Sequence, residues 1–257
     1  MSAEWNQVFV NLGPAPKHTV PDGTIIYAIG DVHGCLDPLN RLLDAIAKDL
    51  AGRRLRSHLV FLGDLVDRGP RSADVIDRLR KGSLPTDEVH FIMGNHEEVL
   101  VDCHSGMVDQ YVPWVKYGGL ETLESYGLTR ADILAATSDF GAVIRAVIPP
   151  GHVRFIKSFK DHVQLGGYVF VHAGIRPGIP LSAQSQHDLR WIRQGFLDSR
   201  KNHGSMIVHG HTIVPQVQFL RNRIAVDTGC YLGGKLSAVV LEANRLRVIA
   251  VEGGGEH

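Results

Sequence analysis

Three times before residue 98 an apolar run halts at a glycine and is followed at once by side chains able to ligate a metal. Thr24-Ile25-Ile26-Tyr27-Ala28-Ile29 runs into Gly30-Asp31-Val32-His33-Gly34. His58-Leu59-Val60-Phe61-Leu62 runs into Gly63-Asp64-Leu65-Val66-Asp67-Arg68-Gly69-Pro70, and Val89 to Met93 runs into Gly94-Asn95-His96-Glu97. Near-continuous apolar runs of this length predict strands buried on both faces. A helix fits between the first two runs: Asp37 is suited to cap it, Pro38 to open it, and Leu39, Leu42, Leu43, Ile46 and Leu50 share one face. A shorter helix begins at Ser72, with Val75, Ile76 and Leu79 on one side. The βαβαβ order predicts parallel strands with helical crossovers, whose carboxyl ends form one ligand-binding edge.

Residues from about 98 to 159 read as helical, with apolar positions at Leu120, Leu123, Tyr126, Ile133, Leu134, Val143, Ile144 and Val147, interrupted at Pro149-Pro150. This is a helical cap insert within a single domain spanning 1–257, either filling out the core or walling the site. Strands then return. Tyr168 to Val171 ends in His172-Ala173-Gly174, and Met206 to Val208 ends in His209-Gly210-His211-Thr212. A helical stretch between them carries Trp191, Arg193, Phe196 and Leu197. Strand-like runs follow at Gln216 to Leu220, Arg223 to Val226, Lys235 to Leu241 and Arg245 to Val251, the last two joined by a tight hairpin at Ala243-Asn244. A mostly parallel first half and a hairpin-rich second half predict two sheets packed face to face, with helices outside.

Charge excludes some partners. Lys+Arg and Asp+Glu both number 27, so no global basic field would recruit nucleic acid or an anionic membrane. The three cysteines, Cys35, Cys103 and Cys230, are too few for a disulfide framework and suit a reducing compartment. Met1 to Val10 lacks the pattern of a signal peptide, and no apolar run approaches a membrane span. The expected location is cytoplasmic.

At the predicted strand ends stand Asp31, His33, Asp64, Asn95, His172 and His211. Oxygen and imidazole donors without a thiolate suit Mn, Fe or Zn, and the set is too rich in histidine for calcium. Two ions side by side fit it. Asp31 and His33 would hold one, Asn95, His172 and His211 the other, and Asp64 would bridge them through its two oxygens. Such a pair lowers the pKa of a shared water and holds phosphate oxygens. His96, next to Asn95, is the candidate general acid, and Asp67 the group that orients it and keeps it protonated. Arg68 and Arg193 can clamp phosphate oxygens with their planar forks, beside Asn95. Arg193 lies three residues from Arg190 on the expected helix, where either can be a solvated charge.

Taken together, and in this order along the chain, these motifs resemble the phosphoprotein phosphatase family of metallophosphoesterases, most closely its bacterial and phage-type branch. The resemblance runs from about Ile25 to Leu241. It implies the calcineurin-like α/β fold, a four-layer α/β/β/α sandwich of two mixed sheets, holding two divalent or trivalent metal ions. Manganese is the pair expected in vitro, with iron and zinc also accepted by these donors. It further implies hydrolysis of phosphoserine and phosphothreonine in a protein or peptide by direct attack of metal-bound hydroxide, with no phosphoenzyme. Asp227-Thr228-Gly229 with Gly233-Gly234 resembles a bacterial-branch feature and reads as a tight turn.

Symmetrical diadenosine tetraphosphate hydrolases share most of these motifs. They commonly lack the second carboxylate of the Gly63 stretch and have Asp where this chain has Glu97, so Asp67 and Glu97 favour a protein phosphatase. A nucleotide substrate, or tyrosine or small-molecule phosphatase activity, is the alternative, and a silent phosphate-binding module is a third class that the complete donor set opposes. Trp114, Gly118-Gly119 and Leu123 resemble a bacterial subgroup. Cys35, beside the first donor loop, reads as a small buried residue.

Overall fold

The computed structural model describes residues 6–9, 18–135 and 140–254. In chain order, β1 (Asn6–Phe9) and β2 (Thr24–Ile29) precede α1 (Leu36–Leu50), β3 (Arg56–Phe61), α2 (Ser72–Lys81) and β4 (Glu88–Phe91). A helical stretch follows: α3 (Asn95–Ser105), α4 (Val108–Trp114), α5 (Leu120–Ser125), α6 (Arg130–Ala135), α7 (Phe140–Val147) and α8 (Pro150–Lys157). The chain continues through β5 (His162–Leu165), β6 (Tyr168–Val171), α9 (Gln186–Trp191), β7 (Met206–His209), β8 (Gln218–Phe219) and β9 (Arg223–Ala225). It closes with β10 (Lys235–Glu242) and β11 (Arg245–Glu252).

One sheet has the order β1-β11-β10-β2-β3-β4 and the other β5-β6-β7-β9-β8. Both are mixed. β2, β3 and β4 are parallel, as are β6, β7 and β9, while β10 and β11 run antiparallel in the first sheet. Alternation along the strands sorts side chains into layers. Ile25, Tyr27, Ile29, Leu59 and Phe61 face Leu39, Leu42, Ile46, Val75 and Ile76 of the helices. Ile26, Ala28, Val60 and Val239 meet Phe170, Val208, Ile224 and Val226 between the sheets. On the far side, Val169, Val171 and Ile207 pack against Leu189 and Phe196. The result is the α/β/β/α sandwich. Among the described residues no helix is long and apolar enough to cross a membrane.

Several local expectations give way. α1 begins at Leu36 with Cys35 at its cap, so Asp37 lies inside the first turn and makes no capping bond. The carboxylate there still opposes the positive end of the helix dipole. α9 stops at Trp191 because Ile192 turns extended, which puts Arg193 in a loop and not on a helix. The terminal hairpin belongs to the first sheet, where β10 pairs with β2. β1 and β5 have no counterpart in the sequence-based expectation.

Asp49 on α1 ties the helix layer to the sheet. It accepts hydrogen bonds from Arg247 Nη1 at 2.6 Å and Nη2 at 2.5 Å, and from Tyr27 Oη at 2.5 Å. Burial pushes its carboxyl upward, but Arg247 and Tyr27 outweigh burial and hold it below the usual carboxylate range. Breaking a buried pair strands the remaining charge, so Asp49→Asn is expected to cost about 3–5 kcal/mol in chemical denaturation. The folded carboxyl titrates below the unfolded one. Its contribution is therefore complete above the ordinary carboxylate pKa and is lost as pH falls through the folded value. An unchanged denaturation midpoint and acid limb in the variant would contradict this role.

Candidate metal and phosphate site

The donor loops meet at the carboxyl ends of β2, β3, β4, β6 and β7. Tight backbone places them there. Among described non-glycine residues with positive φ, His33, Asp64, Asp67, Arg68 and His211 all lie at this edge, and only Ala243 of the β10–β11 turn lies elsewhere. Left-handed backbone at several non-glycine positions in one place is the strain that functional sites store. Gly63 permits one close approach. At φ 102° its added Cβ would stand 2.8 Å from both Gly94 Cα and His172 Nδ1.

Asp64 stands between two groups of donors. On one side His33 Nε2 is 3.7 Å and His96 Nε2 3.9 Å from its Oδ2. On the other, His172 Nε2 is 3.4 Å from its Oδ1, 3.1 Å from His211 Nδ1 and 2.9 Å from Asn95 Oδ1. Both groups bring ligand atoms within 4.8 Å of one another. Asp31 belongs to neither compact group. Its carboxylate accepts from the His211 backbone N–H at 3.0 and 3.2 Å.

The surroundings fit a pair of divalent cations. His33 Nδ1 lies 2.8 Å from the Val66 carbonyl and His172 Nδ1 2.8 Å from the Leu62 carbonyl, which turns each Nε2 toward Asp64. Burial, with the neighbouring His96, lowers the His33 pKa to about 3, and burial with His172 lowers that of His211 to about 2. Both imidazoles are neutral, as ligation requires. Asp31 is pushed well above the carboxylate range by burial and by the Asp227 and Asp64 carboxylates. Asp227 itself rises to about 6 through burial, with Asp64 adding to it. Crowded buried carboxylates beside neutral imidazoles are relieved by a cation. Bound there, a dinuclear centre supplies Lewis acidity toward phosphate oxygens and a water of lowered pKa.

Beside these donors, His96 Nδ1 is 2.7 Å from Asp67 Oδ2. Burial draws the His96 pKa down, but Asp64 and Asp67 prevail and hold it above its ordinary value. Asp67 is fully buried; its carboxylate accepts from Trp114 Nε1 at 2.8 Å and Thr122 Oγ1 at 2.7 Å, and its backbone N–H donates to Ser72 Oγ at 3.0 Å. Two of those supports come from the helical stretch, so Trp114 acts on the site through Asp67. Arg68 donates its backbone N–H to the Gly118 carbonyl at 3.0 Å. Gly118, at φ 120°, is needed there, since an added Cβ would stand 2.6 Å from Arg68 Cγ. The Arg68 guanidinium lies over the Tyr231 ring, donates to its hydroxyl, and reaches to 3.3 Å from His96 Nε2. Arg193 donates to the His211 carbonyl at 3.2 Å and lines the same cleft. Arg190 is bound to Glu98 and Asp161 and makes no part of it.

Glu97, read in the sequence only as a marker between related families, has a structural place. It is fully buried and accepts from the backbone N–H groups of Leu65 at 2.6 Å, Asp64 at 2.8 Å, Gly94 at 3.1 Å and Val66 at 3.3 Å. It anchors the Asp64 loop to α3. Asp227 and Tyr231 are brought to the site without a sequence signal for it. Asp227 lines the donor cleft, just beyond β9 and before a turn with Gly229 and Gly233 left-handed.

Two cavities open over the donors. One of about 370 Å³ is lined by His33, Asp64, Asn95 and Asp227. A second of about 620 Å³ shares Arg68, Asn95, His96, Arg193 and His211 with it and extends to Tyr117 and Trp191.

The model of the calcineurin-like phosphoesterase family matches residues 25–257. An asymmetrical bis(5'-nucleosyl)-tetraphosphatase of Anoxybacillus flavithermus is 28% identical, over 82% of this chain and 88% of its own. A symmetrical bis(5'-nucleosyl)-tetraphosphatase of Methylococcus capsulatus is 28% identical, over 89% of this chain and 96% of its own. The solved cold-active protein-tyrosine phosphatase of a psychrophilic Shewanella superposes with a TM-score of 0.59 at 20% identity, covering 96% of this chain and 88% of that one. The fold, the paired donor groups and the family match agree: this chain belongs to the calcineurin-like phosphoesterases and is a metal-binding phosphoester hydrolase.

Proposed function

We propose that the chain hydrolyses dinucleoside tetraphosphates at this cleft. The observation that carries the reading is the continuity of the two cavities. Phosphate oxygens over Asp64, Asn95, Arg68 and Arg193 would leave a nucleobase beside the exposed faces of Trp191 and Tyr117. Aromatic faces bind bases by stacking, about 1–3 kcal/mol each. The names of the sequence relatives support the same substrate class. In this reading 1–257 is one domain whose helical stretch, about 98–159, serves as a cap: it walls the base pocket with Tyr117 and steadies Asp67 with Trp114.

A specific observation favours a second reading, a phosphatase acting on phosphoserine, phosphothreonine or phosphotyrosine. The buried Asp67–His96 pair is the equipment for protonating a poor leaving group, which an alcohol is and a nucleotide phosphate is not. The bacterial protein phosphatase branch stays attached to this reading.

Manganese-loaded protein given diadenosine tetraphosphate and a phosphothreonine peptide in one tube distinguishes them. The first reading predicts ADP, or ATP with AMP, ahead of free phosphate; phosphate first, with the dinucleotide intact, transfers the assignment to the second. Trp191→Ala is expected to raise KM for the dinucleotide about tenfold, from the loss of one stacking face, and to leave KM for an aryl phosphate nearly unchanged. Equal KM changes on both substrates would remove the base pocket from the account.

A further inference from the structure

We propose a second metal site, separate from the dinuclear one, formed by His58, Glu88 and His90 and selective for an imidazole-preferring divalent ion such as zinc. β3 and β4 pair in parallel with His58 opposite Glu88 and Val60 opposite His90. Paired residues in a parallel ladder project to the same face, and so do Glu88 and His90, two apart on one strand. The three side chains therefore converge near the beginning of β4, the outermost strand of its sheet.

Their spacing is that of ligands around one ion. His58 Nδ1 is 3.1 Å from His90 Nε2 and 3.6 Å from Glu88 Oε2, and His90 Nε2 is 3.9 Å from the same oxygen. Bond lengths of about 2.0–2.2 Å in tetrahedral geometry put adjacent donors roughly 3.3–3.6 Å apart. All three atoms lie within 4.8 Å of one another, as do those of each donor group at the phosphoester cleft. The side chains are 7%, 14% and 36% exposed in the order His58, His90, Glu88, so the imidazoles are sheltered and the carboxylate side opens to solvent for entry and for a water ligand.

The neighbours complete the site. Arg56 Nε and Nη2 both donate to Glu88 Oε1, which holds the carboxylate with Oε2 toward the histidines. Asp87 adds a second negative charge nearby, its Oδ2 fixed by the Ser57 N–H at 2.8 Å and hydroxyl at 2.7 Å. Lys160 and Arg56 are the facing cations and balance Asp87 and Glu88. Two imidazoles and one carboxylate select zinc, copper, nickel or cobalt over magnesium or manganese. The site is independent of the phosphoester cleft. His58 lies four strand residues before Leu62, the residue that anchors His172, or about 13 Å along β3. An ion here would clasp the outermost strand to its neighbour.

The test is a count of zinc bound per chain. Metal-depleted protein is given a small molar excess of zinc, freed of unbound ion by gel filtration and analysed by atomic emission, alongside His90→Gln and Glu88→Gln. The expected result is one zinc fewer per chain in each variant than in the parent, with a smaller zinc-induced rise in melting temperature. Glu88→Gln keeps the side-chain shape, and circular dichroism of the metal-free proteins confirms that the variants fold. Equal zinc content in the parent and both folded variants would overturn the proposal, whatever the substrate of the phosphoester cleft.

Discussion

Asp64→Asn is expected to lower kcat/KM on the order of 10³-fold, with any phosphoester substrate. Asp64 is the one residue common to both donor groups, with one oxygen toward His33 and His96 and the other toward His172. Its carboxyl is pulled well below the ordinary range. Burial opposes ionisation, but the adjacent His172 and His96 imidazoles overcome it, so the ionised form is the one present near neutral pH. Asparagine preserves size and tolerates the left-handed backbone that position 64 adopts at φ 50°. The loss should therefore come from charge and not from misfolding, and the melting temperature of the metal-free variant should stay close to the parent's. Steady-state kinetics at matched metal loading checks it. Full activity in the variant would remove Asp64 from the centre of the site.

His96→Asn is expected to reduce kcat by about 10²–10⁴ on a phosphothreonine peptide, and by much less on an activated aryl phosphate. The geometry gives the reason. His96 Nδ1 is locked to Asp67, and Nε2 is left pointing into the cleft, where a departing oxygen can take its proton. Arg68 Nη2 sits 3.3 Å from that nitrogen, in position to hold a phosphate oxygen next to the same leaving group. Asp67→Asn supplies the pH test. Asp67 helps to hold His96 above its usual pKa, so its loss lets His96 deprotonate at lower pH, and the alkaline limb of the kcat profile should move to lower pH. Equal losses on both substrates in His96→Asn, or an alkaline limb that does not move in Asp67→Asn, would take the general-acid role away from His96.

The donor edge was legible in the chain because β2 and β3, buried on both faces, carry a nearly unbroken apolar code, and each run stopped at a glycine beside a candidate ligand; β4 carries a similar run although, as the outermost strand, it is only half-buried. What was not legible depends on contacts between distant segments. Glu97 reads as part of a ligand motif, yet its four hydrogen bonds to backbone N–H groups exist only after the Asp64 loop and α3 have come together. Asp227 reads as a turn residue, and reaches the cleft because β9 runs parallel to β7. Trp114 stands in the sequence only within a resemblance to a bacterial subgroup, and its indole N–H is spent on Asp67. The helix placed through Arg193 fails for a local reason: Ile192 turns extended, which frees Arg193 to reach the His211 carbonyl. β1 and β5 are four-residue strands that take their register from β11 and β6, and carry too little periodicity to show alone.

Hydrolysis at this cleft would depend on a pair of metal ions sharing Asp64. The direct measurement is a crystal structure of manganese-soaked protein with anomalous differences recorded for manganese. Two peaks are predicted on either side of the Asp64 carboxylate, one against His33 and the other against His172, His211 and Asn95. A single peak, or manganese bound away from Asp64, would contradict the account.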